Sequence, residues 1–290
     1  MLKKSLVFTV LLSALLVVGL QAAVLAEKAC ESRFADVRVM TYNIRVGVGG
    51  AAERLPAEEG LEKVARIVEQ CNPDVLLIQE IEKGAKRSGY VDEVTWLMRR
   101  LDYPHAAFGP AIREATWNYG VAIFSRYPSK VSSQRTRLFK PDYRASHPEY
   151  PAHYSEQRVL LRATTLVQGA TVNFFCTHLG LTPDQRKRQV EEIVERLEGY
   201  ASPCVLGGDF NALPDSAEME PLRVHLQDAL DAFSVPVEKR LSYPAKKPKR
   251  AIDAIFVSQD IEVRSAKVIA DETLASDHLP VLVELRIPLE

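Results

Sequence analysis

The sequence predicts an α/β protein in which two mixed β-sheets pack face to face and helices cover both outer sides, a four-layer α/β sandwich. Three observations lead there. Apolar, β-branched runs of strand length recur along the chain and several end in polar groups, as in Val37-Arg-Val-Met-Thr-Tyr-Asn43 and Asp74-Val-Leu-Leu-Ile-Gln-Glu80. Helical stretches and hairpin turns both interleave with them, which argues against a purely parallel wound sheet. The chain has 290 residues, 47% of them apolar, and no repeat or low-complexity tract, enough for one domain to bury a large core without disulfides.

The N-terminal residues stand apart from that domain. Lys3 and Lys4 precede the almost wholly apolar Ser5 to Leu20, and Ala22-Ala-Val-Leu-Ala26 leads into Glu27-Lys28, the layout of a secretory signal. Cleavage is expected near Ala26, which leaves a domain over residues 27–290. The alternative is an uncleaved anchor, because the uncharged stretch Ser5 to Ala26 reaches the about 20 residues that span a bilayer. Glu27-Lys28-Ala29 lacks the small and apolar residues of a lipidation site ahead of Cys30. Either way the domain is expected outside the cytoplasm, secreted or periplasmic.

Within the domain, Val37 to Ile44 reads as a central strand and Gly47 to Gly60 as a glycine-rich loop. Leu61, Val64, Ala65, Ile67 and Val68 recur at helical spacing until Asn72-Pro73 stops the helix ahead of the strand Asp74 to Glu80. Val91 to Leu101 fits a second helix and Val121 to Ser125 a strand. Arg158 to Val167 and Thr171 to Thr177 are strands joined by a hairpin at Gln168-Gly169. A helix over Asp184 to Glu198 starts at Thr182-Pro183. There follow a strand ending at Gly207, a short helix near Ala217 to His225, and strands over Ile252 to Val257, Glu262 to Ile269 and Val281 to Arg286. Lys140 to Glu156 is polar and aperiodic, a solvated loop whose place just before Arg158 suits a substrate-covering flap.

Without the leader the chain carries a net charge of about −3, so it has no general attraction to polyanions and nucleic-acid binding would need a local patch. Lys246-Lys-Pro-Lys-Arg250 is the one dense basic run. It suits a solvated loop, or a grip on a nucleic-acid backbone or anionic lipid head groups. The four cysteines show no Cys-x-x-Cys spacing. Cys30 with Cys71 and Cys176 with Cys204 is one of three pairings, and buried free thiols are equally open.

Chemistry collects at the polar ends of the strands. In Gly-Gly-Asp-Phe-Asn, Asp209 and Asn211 leave a strand end two residues apart, on one face of extended backbone. His178 closes Thr171-Val-Asn-Phe-Phe-Cys-Thr-His178, Asp253 opens the run to Val257, and Ser276-Asp-His-Leu-Pro-Val281 sets Asp277 and His278 before the last strand. Singly each has an ordinary explanation: a turn for Asp209, a rim carboxylate for Glu80, a core histidine for His178, an ion pair with Glu156 for Arg158. Six such segments together point to metal or phosphate chemistry.

The motifs TYNIR, LIQE, YGVAIFSR, THLG, GGDFN, IDAIF and SDHLPV run in this order from about Val37 to Val283. They resemble the endonuclease/exonuclease/phosphatase family, which includes deoxyribonuclease-like nucleases, apurinic endonucleases, neutral sphingomyelinases and inositol-polyphosphate phosphatases. The resemblance implies a deoxyribonuclease-like fold and divalent-metal-dependent hydrolysis of a phosphodiester by in-line attack of water. It implies Glu80 as the main metal ligand, Asn43 and Asp277 completing that site or a second one, and Mg2+ as the ion, with Mn2+ able to replace it. Asp209 would orient or deprotonate the water, and Asn211 would hold water or phosphate. His278 would contact the scissile phosphate with its ring fixed by Asp253. His178 and Arg158 would grip phosphate oxygens, helped by Asn118 or Tyr119. His105, His147, His153 and His225 match no motif and are expected to be structural or on the surface. Ala254 follows Asp253 where relatives commonly carry Tyr or Arg, a side chain expected to flank the pocket.

Substrate choice belongs to the loops rather than to the shared mechanism. A phospholipid or small phosphodiester is the expectation, with membrane-surface contact and a monomeric protein. The tryptophan-rich segment of many apurinic endonucleases has no counterpart between Leu241 and Ile252, and the wording of the motifs is similar to bacterial secreted members and to hydrolase-like domains that remodel glycosylphosphatidylinositol lipids. A secreted endonuclease acting on DNA or RNA is the alternative. A catalytically silent binding module is a third reading, opposed by the presence of Glu80, Asp209, Asp253 and His278 together.

Overall fold

Each sheet of the computed structural model is organised around a parallel pair of strands joined by a helix. The structure describes residues 33–50, 54–128, 134–142, 149, 151–200, 203–270 and 274–289. The expected leader over residues 1–26, Cys30 with its proposed bridge, and His147 lie outside the described residues. β1 (Phe34–Asn43) passes through α1 (Ala57–Cys71) into β2 (Val75–Lys83), and β1 and β2 run parallel, with Asn43 beside Gln79. In the second sheet β7 (Ala170–His178) passes through α3 (Pro183–Leu197) into β8 (Cys204–Asp209), again parallel, with His178 beside Asp209. Parallel neighbours require such a crossover, because a hairpin only reverses direction.

Antiparallel strands extend both pairs. The first sheet adds β3 (His105–Arg113), β4 (Asn118–Ser125), β11 (Glu262–Val268) and β12 (Val281–Pro288), in the order β11-β12-β1-β2-β4-β3. The second adds β5 (Gln134–Arg137), β6 (Val159–Val167), β9 (Leu226–Asp228) and β10 (Asp253–Ser258), in the order β5-β6-β7-β8-β10-β9.

Alternation along the strands sorts the apolar residues into three layers. Val37, Val39, Leu77 and Val283 meet Phe174, Cys176, Val205 and Ile255 between the sheets. On the outer side of the first sheet, Met40, Tyr42, Leu76 and Ile78 pack against Leu61, Val64 and Val68 of α1 and Leu97 of α2 (Glu93–Arg100). Outside the second sheet, Phe175, Leu206 and Phe256 pack against Val190, Ile193 and Leu197 of α3 and Leu222 of α4 (Glu220–His225). Each fully buried side chain of this size contributes about 1.5–3 kcal/mol. The expected four layers are therefore present.

Several expectations change. Helix α1 starts at Ala57, inside the stretch expected as loop, with Glu58 and Glu59 favoured in its first turn by the helix dipole. Gly60 is a packing residue there: a Cβ on it would come within 1.9 Å of the Gly47 carbonyl oxygen. Strands β3, β5 and β9 arise from sequences without clean alternation and owe their conformation to their neighbours in the sheets. Cys176 and Cys204 are buried and form no disulfide with each other, because one faces the inter-sheet core and the other the α3 layer. Ala254 also points outward, into the core beneath α3, so a larger residue there would meet the outer core rather than the pocket. Among the described residues no helix is long and apolar enough to cross a membrane.

Candidate active site

The inward rows of both sheets are mostly apolar and turn polar toward one end, where a buried Thr41–Gln79 pair precedes the site on β1 and β2. Val37 and Val39 lead to Asn43 on β1, Phe174 and Cys176 to His178 on β7, and Val205 to Asp209 on β8. Read backwards, Val257 and Ile255 lead to Asp253 on β10. Asp253 faces Asp209 across the antiparallel pair, and His178 lies beside Asp209 across the parallel one.

Glu80 reaches the same place by a different route. Strict alternation would send it to the helix-covered face, but the β2–β4 ladder slips between Gln79 and Ile81 and Glu80 takes a φ of +53°. This bulge turns its carboxylate inward to Asn43. Asn211 is likewise left-handed, at φ +52°. Such backbone costs on the order of 1–3 kcal/mol in a residue other than glycine and is retained where the surroundings enforce it. The two glycines before Asp209 are also required by contact. A Cβ on Gly207 would lie 2.6 Å from Leu77 Cδ1, and one on Gly208 would lie 2.2 Å from the Thr177 carbonyl oxygen.

Asp209 is the hub. Its carboxylate accepts from Asn43 Nδ2 at 3.0 Å and from the Asn211 backbone N–H at 2.9 Å. His178 Nε2 lies 3.4 Å away and His278 Nε2 3.7 Å away. His278 Nδ1 is held by Asp253 Oδ2 at 2.9 Å, and the Tyr243 ring packs on the imidazole at 4.7 Å between centroids. Arg158 pairs with Glu156 at 3.1 Å and approaches His178 Nδ1 at 3.3 Å. Because a guanidinium only donates, Nδ1 is the accepting nitrogen and the ring proton sits on Nε2, facing Asp209. Asn211 Nδ2, 3.1 Å from that Nε2, donates instead to the Leu179 carbonyl at 3.1 Å. Asp277 lies 3.5 Å from Arg45 Nε. The buried atoms Asp253 Oδ1 and Arg158 Nε have no hydrogen-bond partner among the described residues.

The two imidazoles are driven apart in charge. Burial alone would lower the His278 pKa, but the negative charges of Asp253 and Asp209 outweigh it and raise it to about 10. His178 is pushed well below the usual histidine range by burial and then by Arg158 and His278. Burial lifts Asp209 to about 7 against the pull of His278. Burial also raises Glu80, with Asp277 adding to the rise and the Asn43 hydrogen bond opposing it. One imidazole is therefore a cation at neutral pH, the other neutral.

These groups surround a cavity of about 390 Å3. Glu80, Arg158, His178, Asp209, Asn211, Asp277 and His278 line it, as expected from the sequence. Asn43 and Asp253 stand behind its wall, 0% and 1% exposed. Asn43, expected among the metal ligands, donates from its NH2 group to Glu80 and Asp209 and accepts on its oxygen from the Arg45 backbone N–H, so it braces two carboxylates. Tyr119 lines the cavity; Asn118 does not. His153, expected to be structural or superficial, lines it with Glu156, from the segment expected as a flap, part of which lies outside the described residues. Arg250 of the basic run is in the wall and donates to the Asn211 carbonyl at 3.2 Å. Arg87 and Tyr243 also line the cavity and belong to no motif singled out above. His105 sits at the start of β3, and His225 is exposed beside Glu198.

The ligand-capable atoms of Asp209, Asp253 and His278 all lie within 4.8 Å of one another. A match to the endonuclease/exonuclease/phosphatase family profile covers residues 40–278 and takes in every one of these residues. The chain belongs to that family. Solved structures with the same fold include the endonuclease/exonuclease/phosphatase from Beutenbergia cavernae DSM 12333, at 22% identity and a TM-score of 0.68 over 88% of this chain and 72% of that one. The mannosyl-6-phosphatase Bt3783 of Bacteroides thetaiotaomicron VPI-5482 is similar at 18% identity and 0.65, over 86% and 99% of the two chains. The human Nocturnin catalytic domain with bound sulfate anion is similar at 22% and 0.64, over 87% and 96%. No curated protein sequence matches the chain. At these identities the likeness to solved structures carries the fold, and family membership carries the general chemistry of phosphoesterases and nucleases.

Proposed function

We propose that the chain is an extracytoplasmic, divalent-metal-dependent phosphodiesterase that hydrolyses a small phosphodiester by in-line attack of water. One observation carries the reading: a single cavity brings Glu80, a carboxylate without a Lys or Arg partner among the described residues, and Asp277 together with the donors Arg158 and His278. Among the described residues Glu80 makes no ion pair with Lys or Arg, and Asp277 raises its pKa further. The same cavity is lined by Arg158, with a buried unpartnered Nε, and the cationic His278. A metal ion with a phosphate ester satisfies both sides.

The donor set fits the ion. Glu80 and Asp277 offer carboxylate oxygens and no nitrogen or sulfur, which suits Mg2+ and also Mn2+. The Asp209, Asp253 and His278 cluster already contains a cation, protonated His278, whose ring nitrogens are then not free to ligate a metal. Glu80 and Asp277 would therefore hold the metal, which would neutralise phosphate charge and lower the pKa of a water. The protein's own groups do the rest. Asp209 takes the proton of the attacking water, its orientation fixed by Asn43 and the Asn211 N–H. The Asn211 side chain holds that water or a phosphate oxygen. His278, kept cationic by Asp253, donates to a phosphate oxygen from one wall, and Arg158 with His178 from another.

The extracytoplasmic location rests on the leader-like residues 1–26, and N-terminal sequencing of the exported protein tests it. A secreted nuclease is the second reading, favoured by Arg250 in the cavity wall beside an exposed lysine run. The deciding experiment assays the purified protein with Mg2+ or EDTA on plasmid DNA, RNA, phosphatidylinositol, sphingomyelin, mannose 6-phosphate and bis-p-nitrophenyl phosphate, with Asp209→Ala as control. Metal-dependent turnover of the small diester or lipid that disappears in Asp209→Ala is expected. Plasmid nicking with little other turnover would replace it by the nuclease reading. Full activity in Asp209→Ala would sink the mechanism.

A further inference from the structure

We propose that a second cavity, reached from the catalytic one past Arg87, binds the nucleoside of a nucleoside-phosphoester substrate; the step from binding to turnover rests on the phosphoesterase reading above. Arg87 lines both the catalytic cavity and a neighbouring cavity of about 370 Å3. Its guanidinium stands 5.2 Å from the Tyr119 ring centroid and 5.9 Å from that of Trp117. These two residues are separated by one position on the extended entry to β4, so they share a face. Tyr119 belongs to the catalytic cavity and Trp117 to its neighbour. Ring, cation and ring thus connect the two spaces.

Arg87 is held by Glu82, whose side chain is 0% exposed, at 2.8 Å. A carboxylate buried to pair with a half-exposed arginine contributes little net stability. What it achieves is a guanidinium fixed at the boundary between the cavities. Beyond it the second cavity is walled by Trp117, Lys86 and Tyr90, the last 66% exposed, and no carboxylate lines it.

Two aromatic faces with two cations and no acid match a nucleobase and its phosphate, the base against a ring and the anion against Arg87 or Lys86. An acyl chain would call for apolar walls without cations. A pyranose would call for carboxylate or amide partners for its hydroxyls, and this lining has neither.

The test reads binding apart from turnover. The full chain is titrated with thymidine 3′,5′-bisphosphate and with inorganic phosphate by calorimetry, and the location is read from fluorescence in Trp96→Phe, which leaves Trp117 as the sole tryptophan. The bisphosphate is expected to bind at least about tenfold tighter than phosphate, in the range of one stacked base, and to quench Trp117. Tyr90→Ala, at an exposed position, is expected to remove most of that advantage. Equal affinities for the two ligands, or an advantage untouched in both Tyr90→Ala and Trp117→Ala, would overturn the subsite. Turnover is then compared between methyl p-nitrophenyl phosphate and thymidine 5′-(p-nitrophenyl phosphate), which share a leaving group. A preference for the nucleoside ester, seen in KM and lost in Tyr90→Ala, supports the proposal, and hydrolysis of both without preference overturns it. Preferential binding with no hydrolysis of either ester keeps the subsite and removes the phosphodiesterase reading.

Discussion

The two sheets present their functional groups by one device and arrive at opposite electrostatic ends. In the first, a parallel pair joined by α1 ends in Asn43 and Glu80; in the second, a parallel pair joined by α3 ends in His178 and Asp209. Glu80 is a carboxylate whose charged form is disfavoured by burial and by Asp277, and His178 is an imidazole whose charged form is disfavoured by burial and by Arg158. The first half offers a carboxylate without a Lys or Arg partner, and the second an imidazole held neutral beside the carboxylate of Asp209. Crossover geometry thus decides where polar groups appear, and the neighbours of each group decide its charge. Asp209 belongs to the second half but is tied to the first through Asn43, so it is where the comparison is most easily broken.

The largest effect is expected there. Asp209→Asn keeps the shape but removes the proton acceptor and one of the three negative charges that raise His278, and kcat is expected to fall by about 10^3-fold or more. Retention of more than a tenth of the wild-type rate would move proton transfer to another group. Asp253→Asn comes next, at about a hundredfold, and it has a signature in pH. His278 has its pKa raised above the unfolded value, so the stability it contributes is complete below about 6.5 and is lost as pH rises through about 10. Without Asp253 that alkaline limit moves down. Asp253 also helps raise Asp209, whose ionisation near pH 7 sets the acid limb, so both limbs of the pH–rate profile should shift to lower pH. A profile displaced on one side alone would show that Asp253 acts on only one of the two groups.

Glu80→Gln sharpens the contrast from the other side. The substitution keeps an oxygen for Asn43 and removes a half-buried charge that has no Lys or Arg partner among the described residues, so the metal-free protein should gain up to about 1 kcal/mol. Mg2+ at a hundredfold above its dissociation constant should stabilise the wild type by about 2.7 kcal/mol and the variant by little. Thermal unfolding with EDTA and with Mg2+ measures both. An undiminished Mg2+ shift in Glu80→Gln would place the ion elsewhere, with the Asp209, Asp253 and His278 cluster the next candidate.

Much of this site could be read before any coordinates, for a physical reason. His178, Asp209 and Asp253 each sit where an alternating inward row ends and Asn43 two residues beyond the inward Thr41, and alternation is visible in sequence. Glu80 was identifiable as a residue but not in its direction, because a bulge defeats alternation at that position. The same rule applied to Ala254 shows that it points away from the pocket, whatever side chain relatives carry there. Arg87, His153 and Tyr243 give no signal, since single 3-10 turns and a loop bring them to the cavity and segments so short show no apolar period. Strands β3, β5 and β9 were missed because pairing to neighbours, rather than local propensity, makes them strands.

The smallest effect separates two adjacent glycines that look equivalent in sequence. A Cβ on Gly207 would press on the end of the Leu77 side chain, which can rotate, and on Thr41 Cβ at 3.3 Å in the opposite sheet. A Cβ on Gly208 would press on the Thr177 carbonyl, which is fixed in the parallel ladder between β7 and β8. Gly208→Ala should therefore cost about 2–3 kcal/mol and Gly207→Ala about 1 kcal/mol, measured by denaturant unfolding. Relief of the Gly208 clash requires β7 and β8 to separate, which carries His178 away from Asp209, so Gly208→Ala should also lower kcat. Gly207→Ala should lose stability alone, because the strain is taken up between the sheets, away from the pair that holds the site. Equal losses of activity in the two variants would mean that the inter-sheet contact, and not the parallel ladder, positions Asp209.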